Sequence, residues 1–239
     1  YGIIGTFHLN SGLLDTRAIW YQGKPNEFLG TYLSKDTLLY VFKNHEIAVH
    51  GTYHKALVGL SDEEILEEIN VDIENLTILS DRKISSMAYA FGSTNDHVAE
   101  VIGTTPLTNA RTTKSSYNFD LPEDYYLWNP TCHDSEALEY LEAYISLDSP
   151  SLSLFYVWGH SWELRDTLRN QNILKFCNEI GDRDDIWYTG AGDFADYHAS
   201  LKVLEIGPQQ IVNPEGNGVV YYREKGQLKS LNPGQRLTH

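Results

Sequence analysis

What most constrains this chain is an alternation. Short apolar runs of strand length are separated by stretches whose apolar residues recur at helical spacing. Residues 2–7, 46–49, 84–89, 152–158 and 186–189 read as strands, with 124–128 as a further short one. Helical patterns fall at 35–44, 96–102, 135–145, 164–180 and 194–203. The longest helical pattern runs through Ile65, Ile69, Ile73 and Leu76 and opens on Ser61-Asp-Glu-Glu64. There the Ser hydroxyl can accept from the third helical amide while Glu64 reaches back. Gly181 reads as a left-handed cap closing the 164–180 helix. Strands alternating with helices imply a mostly parallel sheet or barrel. At 239 residues the chain can bury one sizeable core. The tail departs from the pattern: residues 219–222, Gly226 and 229–231 read as a terminal β-hairpin. The expected organisation is an α/β barrel over 1–207 and a hairpin tail, 208–239, packed on it.

A formal charge of −15 argues against a nucleic-acid partner, since phosphate contacts need clustered Lys and Arg. It argues equally against an anionic membrane surface. No apolar run reaches the length of a membrane span, and no signal peptide opens the chain. Cys132 and Cys177 are too few for a disulfide scaffold, and Cys132 reads as a packed thiol. Sixteen Tyr and five Trp suit a carbohydrate cleft, although large aromatics also fill cores.

In parallel α/β folds, functional residues gather where strands end. Polar residues fall at five such ends: His8, Asn10 and Ser11; His50 and His54; 92–95; 129–134; and 159–161. The second end carries the strongest chemistry. The run Ile47-Ala48-Val49 leads into His50-Gly-Thr-Tyr-His54. A turn of helix brings residues four apart onto one face, and two neutral imidazoles make half of a zinc-type site. A metal at such a site yields a nucleophilic water near neutral pH.

The order of motifs resembles the polysaccharide deacetylase family, the NodB-type carbohydrate esterases. The motifs are Thr6-Phe-His-Leu-Asn-Ser-Gly12, His45-Glu-Ile-Ala-Val-His-Gly-Thr-Tyr-His54, Met87-Ala-Tyr-Ala-Phe-Gly92, Trp128-Asn-Pro-Thr-Cys-His133 and Tyr156-Val-Trp-Gly-His-Ser161. The resemblance implies an irregular (β/α) barrel of about seven strands. It implies removal of N- or O-acetyl groups from a polysaccharide or oligosaccharide with a divalent metal, most often zinc, at an extracytoplasmic location. By resemblance His50 and His54 are metal ligands and His160 is the general acid. Tyr89, Trp128, His133 and Trp162 are the expected substrate-binding residues, with Trp162 the best sugar platform. A backbone amide near Tyr89 or the Gly92 turn is the expected oxyanion donor.

The first motif departs from the family. Its usual Thr-Phe-Asp-Asp-Gly is replaced by a sequence without a carboxylate and with two additional residues. Asn10 falls near the third-ligand position, where an amide carbonyl is a poorer zinc ligand than a carboxylate. His8 falls where the base would be, and could act as base or as a third imidazole ligand. Asp15 and Glu163 are the carboxylates nearest the motifs, and spacing does not choose between them. Asp184-Asp185 reads as a solvated turn. Two classes of function stay open: a metal-dependent deacetylase, and a carbohydrate-binding pseudoenzyme that keeps the barrel. The sequence leaves the oligomeric state open.

Overall fold

The computed structural model describes residues 1–20, 24, 27–149 and 151–238. Two compact units divide the chain, Tyr1–Thr189 and Gly190–His239. The first contains β1 (Thr6–Leu9), β2 (Arg17–Trp20), β3 (Phe28–Thr31), α1 (Lys35–Val41), β4 (Glu46–Val49), α2 (Asp62–Ser80), β5 (Ser86–Ala88), α3 (Asp96–Ile102), β6 (Asn109–Arg111), β7 (Cys132–His133), α4 (Ala137–Ile145), β8 (Val157–Trp158) and α5 (Thr167–Ile180). The second contains α6 (Ala191–Lys202), β9 (Glu205–Gly207), β10 (Gln210–Val212), β11 (Val220–Glu224), β12 (Gln227–Leu231) and β13 (Arg236–Thr238).

The larger unit is built on a parallel sheet in the order β1-β4-β5-β6. One parallel bridge, Arg111 to Trp128, leads on to the segment before β7, which pairs in parallel with β8. Among the described residues the sheet does not close on itself; the fold is mixed α/β.

Register sorts the side chains into two faces, because neighbours along a strand point in opposite directions. Leu9, Val49, Met87 and Ala110 stand side by side on one face. They meet the apolar stripe of α2, where Ile65, Ile69 and Leu76 are buried. The opposite face is small and polar. Its entry end carries Glu46, which accepts from the hydroxyls of Thr6 and Ser86 at 2.6 Å each, while Asn109 donates to Ser86. Its exit end carries His8 beside Ala48, and Arg111 beside Ala88. The two alanines leave room for the rings and the guanidinium.

The capping box at Ser61 is formed: Glu64 N–H donates to the Ser61 hydroxyl and the Ser61 amide donates to the Glu64 carboxylate. The spans at 35–44, 46–49, 96–102 and 135–145 form α1, β4, α3 and α4 in essentially the expected places. Other expectations are corrected. Residues 124–128 form a turn, because Asp124 accepts from the Tyr126 amide at 2.7 Å, and only Trp128 bridges the sheet. Residues 186–189 form no strand; Tyr188 instead ties its hydroxyl to the Arg183 amide. The 152–158 run pairs only at Val157–Trp158. The 164–180 helix is split, since Asp166 caps α5 by accepting from the Arg169 amide. Gly181 is extended at φ −70°, and Asp182 takes the left-handed turn at φ 54°. Glycine is still needed at 181, because a Cβ there would lie 2.6 Å from the Tyr1 carbonyl oxygen. The β2–β3 hairpin and β6 were not legible as strands.

In the second unit β13-β10-β9 form an antiparallel sheet and β11 pairs with β12 as the expected hairpin. Lys225 and Gly226, at φ 50° and 80°, supply the two positive angles of its turn. Buried Asn213 donates to the Gly218 and Leu231 carbonyls. No helix among the described residues is long and apolar enough to cross a membrane.

Candidate active site

The imidazoles of His50 and His54 meet. Their Nε2 atoms are 3.1 Å apart. Two nitrogens bound to one zinc at ~2.0–2.1 Å in a tetrahedron stand about 3.3 Å apart, so this spacing fits a shared ion. His50 Nδ1 lies 2.7 Å from the Ala88 carbonyl. Donating there fixes the tautomer and leaves the Nε2 lone pair for a ligand, the usual outer-shell arrangement of a metal-bound imidazole. Burial above all pulls His50 down to about 3, with His54, Arg111 and His160 adding repulsion and the Ala88 bond opposing. Burial and His160 likewise lower His54. Both rings are therefore neutral at neutral pH, the form that ligates.

The loop carrying them is held by two carboxylates that the sequence reading missed. Glu68 and Asp72 lie on the buried face of α2. Glu68 accepts from the Tyr53 amide at 2.7 Å and the Lys55 amide at 3.3 Å, and pairs with Lys55 Nζ at 3.5 Å. Those bonds flank His54, which sits at φ 59°, a strained angle for a residue with a side chain. Gly51, at φ 82°, gives the chain its turn; a Cβ there would lie 3.0 Å from Glu68 Oε1. Asp72 accepts from the Ser11 amide at 2.7 Å and the His50 amide at 3.1 Å, tying the first strand exit to the second. The signal was available: carboxylates at 68 and 72 interrupt the stripe that contains Ile65, Ile69 and Leu76.

Asn10 is buried, and its amide nitrogen donates to the carbonyls of His50 at 2.9 Å and Gly51 at 2.7 Å. His8 lies with its ring centroid 6.3 Å from that of His50. Its Nε2 is buried without a hydrogen-bond partner. Burial first, then Arg111 and His50, hold it well below its ordinary range, so it too is neutral. The donor set thus fits a divalent ion: two converging imidazoles, with a third close by whose Nε2 makes no hydrogen bond among the described residues.

A second cluster surrounds His160. Its Nδ1 lies 3.0 Å from Glu163 Oε2, and its amide donates to the same oxygen at 3.0 Å. Glu163 and buried Asp134 share Arg169. Burial alone would raise Glu163, but bonds and charge from His160 and the charge of Arg169 hold it below its usual value. His133 joins this network, 3.3 Å from Glu163 and 3.0 Å from Asp134. His133, His160 and Glu163 are close enough to hold a metal by distance alone. Arg169 Nη2 already lies 2.8 and 3.0 Å from the His133 nitrogens and 3.1 Å from Glu163, so a cation occupies that space. His160 is within electrostatic reach of both His50 and His54.

Not every expected residue reaches it. Tyr89 and Trp128 are 1% and 2% exposed, and the Tyr89 hydroxyl donates to the Tyr126 carbonyl. Both side chains belong to the core, which corrects their reading as substrate contacts. The Tyr89 and Gly92 amides donate to the Arg111 and Tyr89 carbonyls, so neither is spare for an oxyanion. Trp162 stacks on His160 with ring centroids 4.9 Å apart. Phe91, 73% exposed and at φ 58°, stands edge-on to His54 at 4.4 Å. Asp15 accepts from the Lys35 amide, and Asp185 pairs with Arg183, both in turns. Cys132 is fully buried, and burial pushes its thiol up to about 12, which makes it inert.

Residues 1–110 match the family model for polysaccharide deacetylases. The chain resembles the polysaccharide deacetylases. A protein from Mycobacterium smegmatis assigned as a polysaccharide deacetylase is 16% identical with a TM-score of 0.55, over 84% of this chain and 73% of that one. At such identity the likeness is one of fold. A polysaccharide deacetylase from Bacillus cereus is 18% identical with a TM-score of 0.39, over 48% of this chain and 32% of that one. A CE4 family pseudoenzyme from Bacillus anthracis is 15% identical with a TM-score of 0.37, over 65% of this chain and 49% of that one. This deacetylase-like chain therefore spans about a third of the Bacillus cereus protein and about half of the pseudoenzyme. No curated protein matches it in sequence.

Proposed function

We propose that the chain is a metal-dependent hydrolase that removes acetyl groups from a polysaccharide or oligosaccharide at an extracytoplasmic location, on a barrel that the parallel sheet begins. The 3.1 Å approach of the His50 and His54 Nε2 atoms carries this reading. These two residues would hold a divalent ion, zinc by preference, which when bound supplies Lewis acidity toward water and the acetyl carbonyl. Asn10 braces the backbone of His50 and Gly51. His160 holds the proton required by the leaving amine or alkoxide, and Glu163 at its Nδ1 fixes the tautomer. Glu163, rather than Asp15, is the carboxylate that serves this site. Trp162, stacked on His160, offers an aromatic face to a sugar ring, and His133 lines the same rim.

One observation favours the second reading, a carbohydrate-binding pseudoenzyme. The first strand exit carries His8 in place of a carboxylate, and an imidazole held well below its ordinary range is a weak base. The two readings part on one experiment. His50→Ala is expected to reduce metal content, measured by elemental analysis, to background and to abolish acetate release from acetylated chito-oligosaccharides. Unchanged metal content in the variant rejects the site. Wild-type protein that binds metal and glycan yet releases no acetate is the pseudoenzyme.

A further inference from the structure

Arg111 is the last residue of β6 and is 6% exposed. Among the described residues no carboxylate forms an ion pair with it. Of its five N–H donors, one makes a hydrogen bond among the described residues, from Nη1 to the Thr112 carbonyl at 3.0 Å. Its guanidinium lies 4.6 Å over the Trp158 ring. Its electrostatic neighbours are His8, His50 and Tyr156, two neutral imidazoles and a phenol that burial raises to about 12. None of them is an anion at neutral pH. A buried charge is ordinarily paired, and stacking on one indole does not replace a counter-ion. Two further buried donors make no hydrogen bond among the described residues: the Tyr156 hydroxyl and the Trp158 indole nitrogen. Trp158 stacks against the Arg111 guanidinium, and the Tyr156 hydroxyl lies within its electrostatic reach.

We propose that Arg111 is the anchor of an internal anion site, lined by Tyr156 and Trp158, that takes a small monocarboxylate such as acetate or formate. The fork of a guanidinium matches the two oxygens of a carboxylate. One negative charge balances one guanidinium. A sulfate or phosphate brings a second negative charge that one guanidinium does not balance. Chloride presents a single centre and lacks the two matched acceptors that a carboxylate sets against the fork. The site needs neither the metal nor turnover, although acetate is the acid released in the reaction proposed above.

The test is a titration of the full chain, chelator-treated, with sodium acetate against sodium chloride and sodium sulfate at matched ionic strength. Binding is followed by calorimetry and by tryptophan fluorescence, to which Trp158 contributes. Saturable acetate binding is expected, with no equivalent response to chloride or sulfate. Arg111→Met is expected to abolish it. Tyr156→Phe, which removes one hydroxyl from a packed ring, is expected to weaken it about tenfold with an unchanged melting temperature. His50→Ala is expected to retain it while losing metal. Absence of saturable binding in the wild type overturns the proposal, as does undiminished binding in Tyr156→Phe. Acetate binding that appears only in metal-loaded protein and disappears in His50→Ala places the carboxylate on the metal; this site then fails while the metal reading stands.

Discussion

The two halves of the site hold their histidines by opposite means. Around His50 and His54 the protein withdraws water, and burial keeps the rings neutral. Their partners are backbone groups: the Ala88 carbonyl on one ring, and amides fixed by Glu68 and Asp72 around both. Around His160 the protein supplies charge instead, with Glu163, Asp134 and Arg169 in one network at the half-exposed rim. The difference follows the chemistry each half would serve. A ligand must offer a lone pair, so a dry and neutral setting suits it. An acid must be aimed at the atom that receives its proton, and the Glu163 carboxylate at Nδ1 orients the His160 ring.

Removing a brace from each half breaks this comparison most directly. Asp72→Ala leaves the Ser11 and His50 amides without their acceptor inside the protein. At ~1–3 kcal/mol for each buried donor left unpaired, the expected loss is about 4 kcal/mol in urea unfolding, with weaker metal uptake. Arg169→Met strands two carboxylates and is expected to cost about 3 kcal/mol. It should leave metal content unchanged and reduce turnover. If Arg169→Met also empties the metal site, the halves are not independent.

A smaller effect sharpens the contrast through pH. The folded value of Glu163 lies below its usual 4.5. A carboxylate lowered on folding adds stability above its unfolded value and loses it as pH falls through the folded one. Wild-type stability should therefore decline as pH drops below about 4.5, and Glu163→Gln should flatten that part of the curve. The check is the urea midpoint between about pH 3 and pH 6 for both proteins. A curve of the same slope in Glu163→Gln would show that the network contributes nothing there.

The legible part of this molecule was its local part. Ser61 to Glu64 gave the start of α2, Ile47 to Val49 gave β4, and the spacing of His50 and His54 gave the pair that meets. What escaped was decided across the fold. Asn109 to Arg111 has no apolar run, because β6 turns a polar face inward and is recognised only beside β5. Arg169 and Asp134, 35 residues apart, meet because α5 returns over β7. Nothing in a one-dimensional reading pairs them. Tyr89 and Trp128 carried motif positions but lie inside, since a strand end can bury its last aromatic as readily as present it. Glu68 and Asp72 lay between these cases: two carboxylates on an apolar helical stripe mark a buried polar contact, without revealing its partner.

Trp162 offers the finest discrimination. Its ring stacks on His160, the group that would carry the proton, and its position at the rim would also meet a sugar. Trp162→Ala is expected to cost about 1 kcal/mol of substrate binding, roughly fivefold in KM on acetylated chito-oligosaccharides. If the ring serves the sugar, kcat holds and KM rises. If it serves His160, kcat falls and the alkaline side of the pH–rate profile moves, because a group that must donate a proton governs that limb. Trp162→Phe, which keeps a stacking face, should restore most of the loss in either case. The ratio of kcat to KM effects in the alanine variant therefore assigns Trp162 to the ligand or to the charged half of the site.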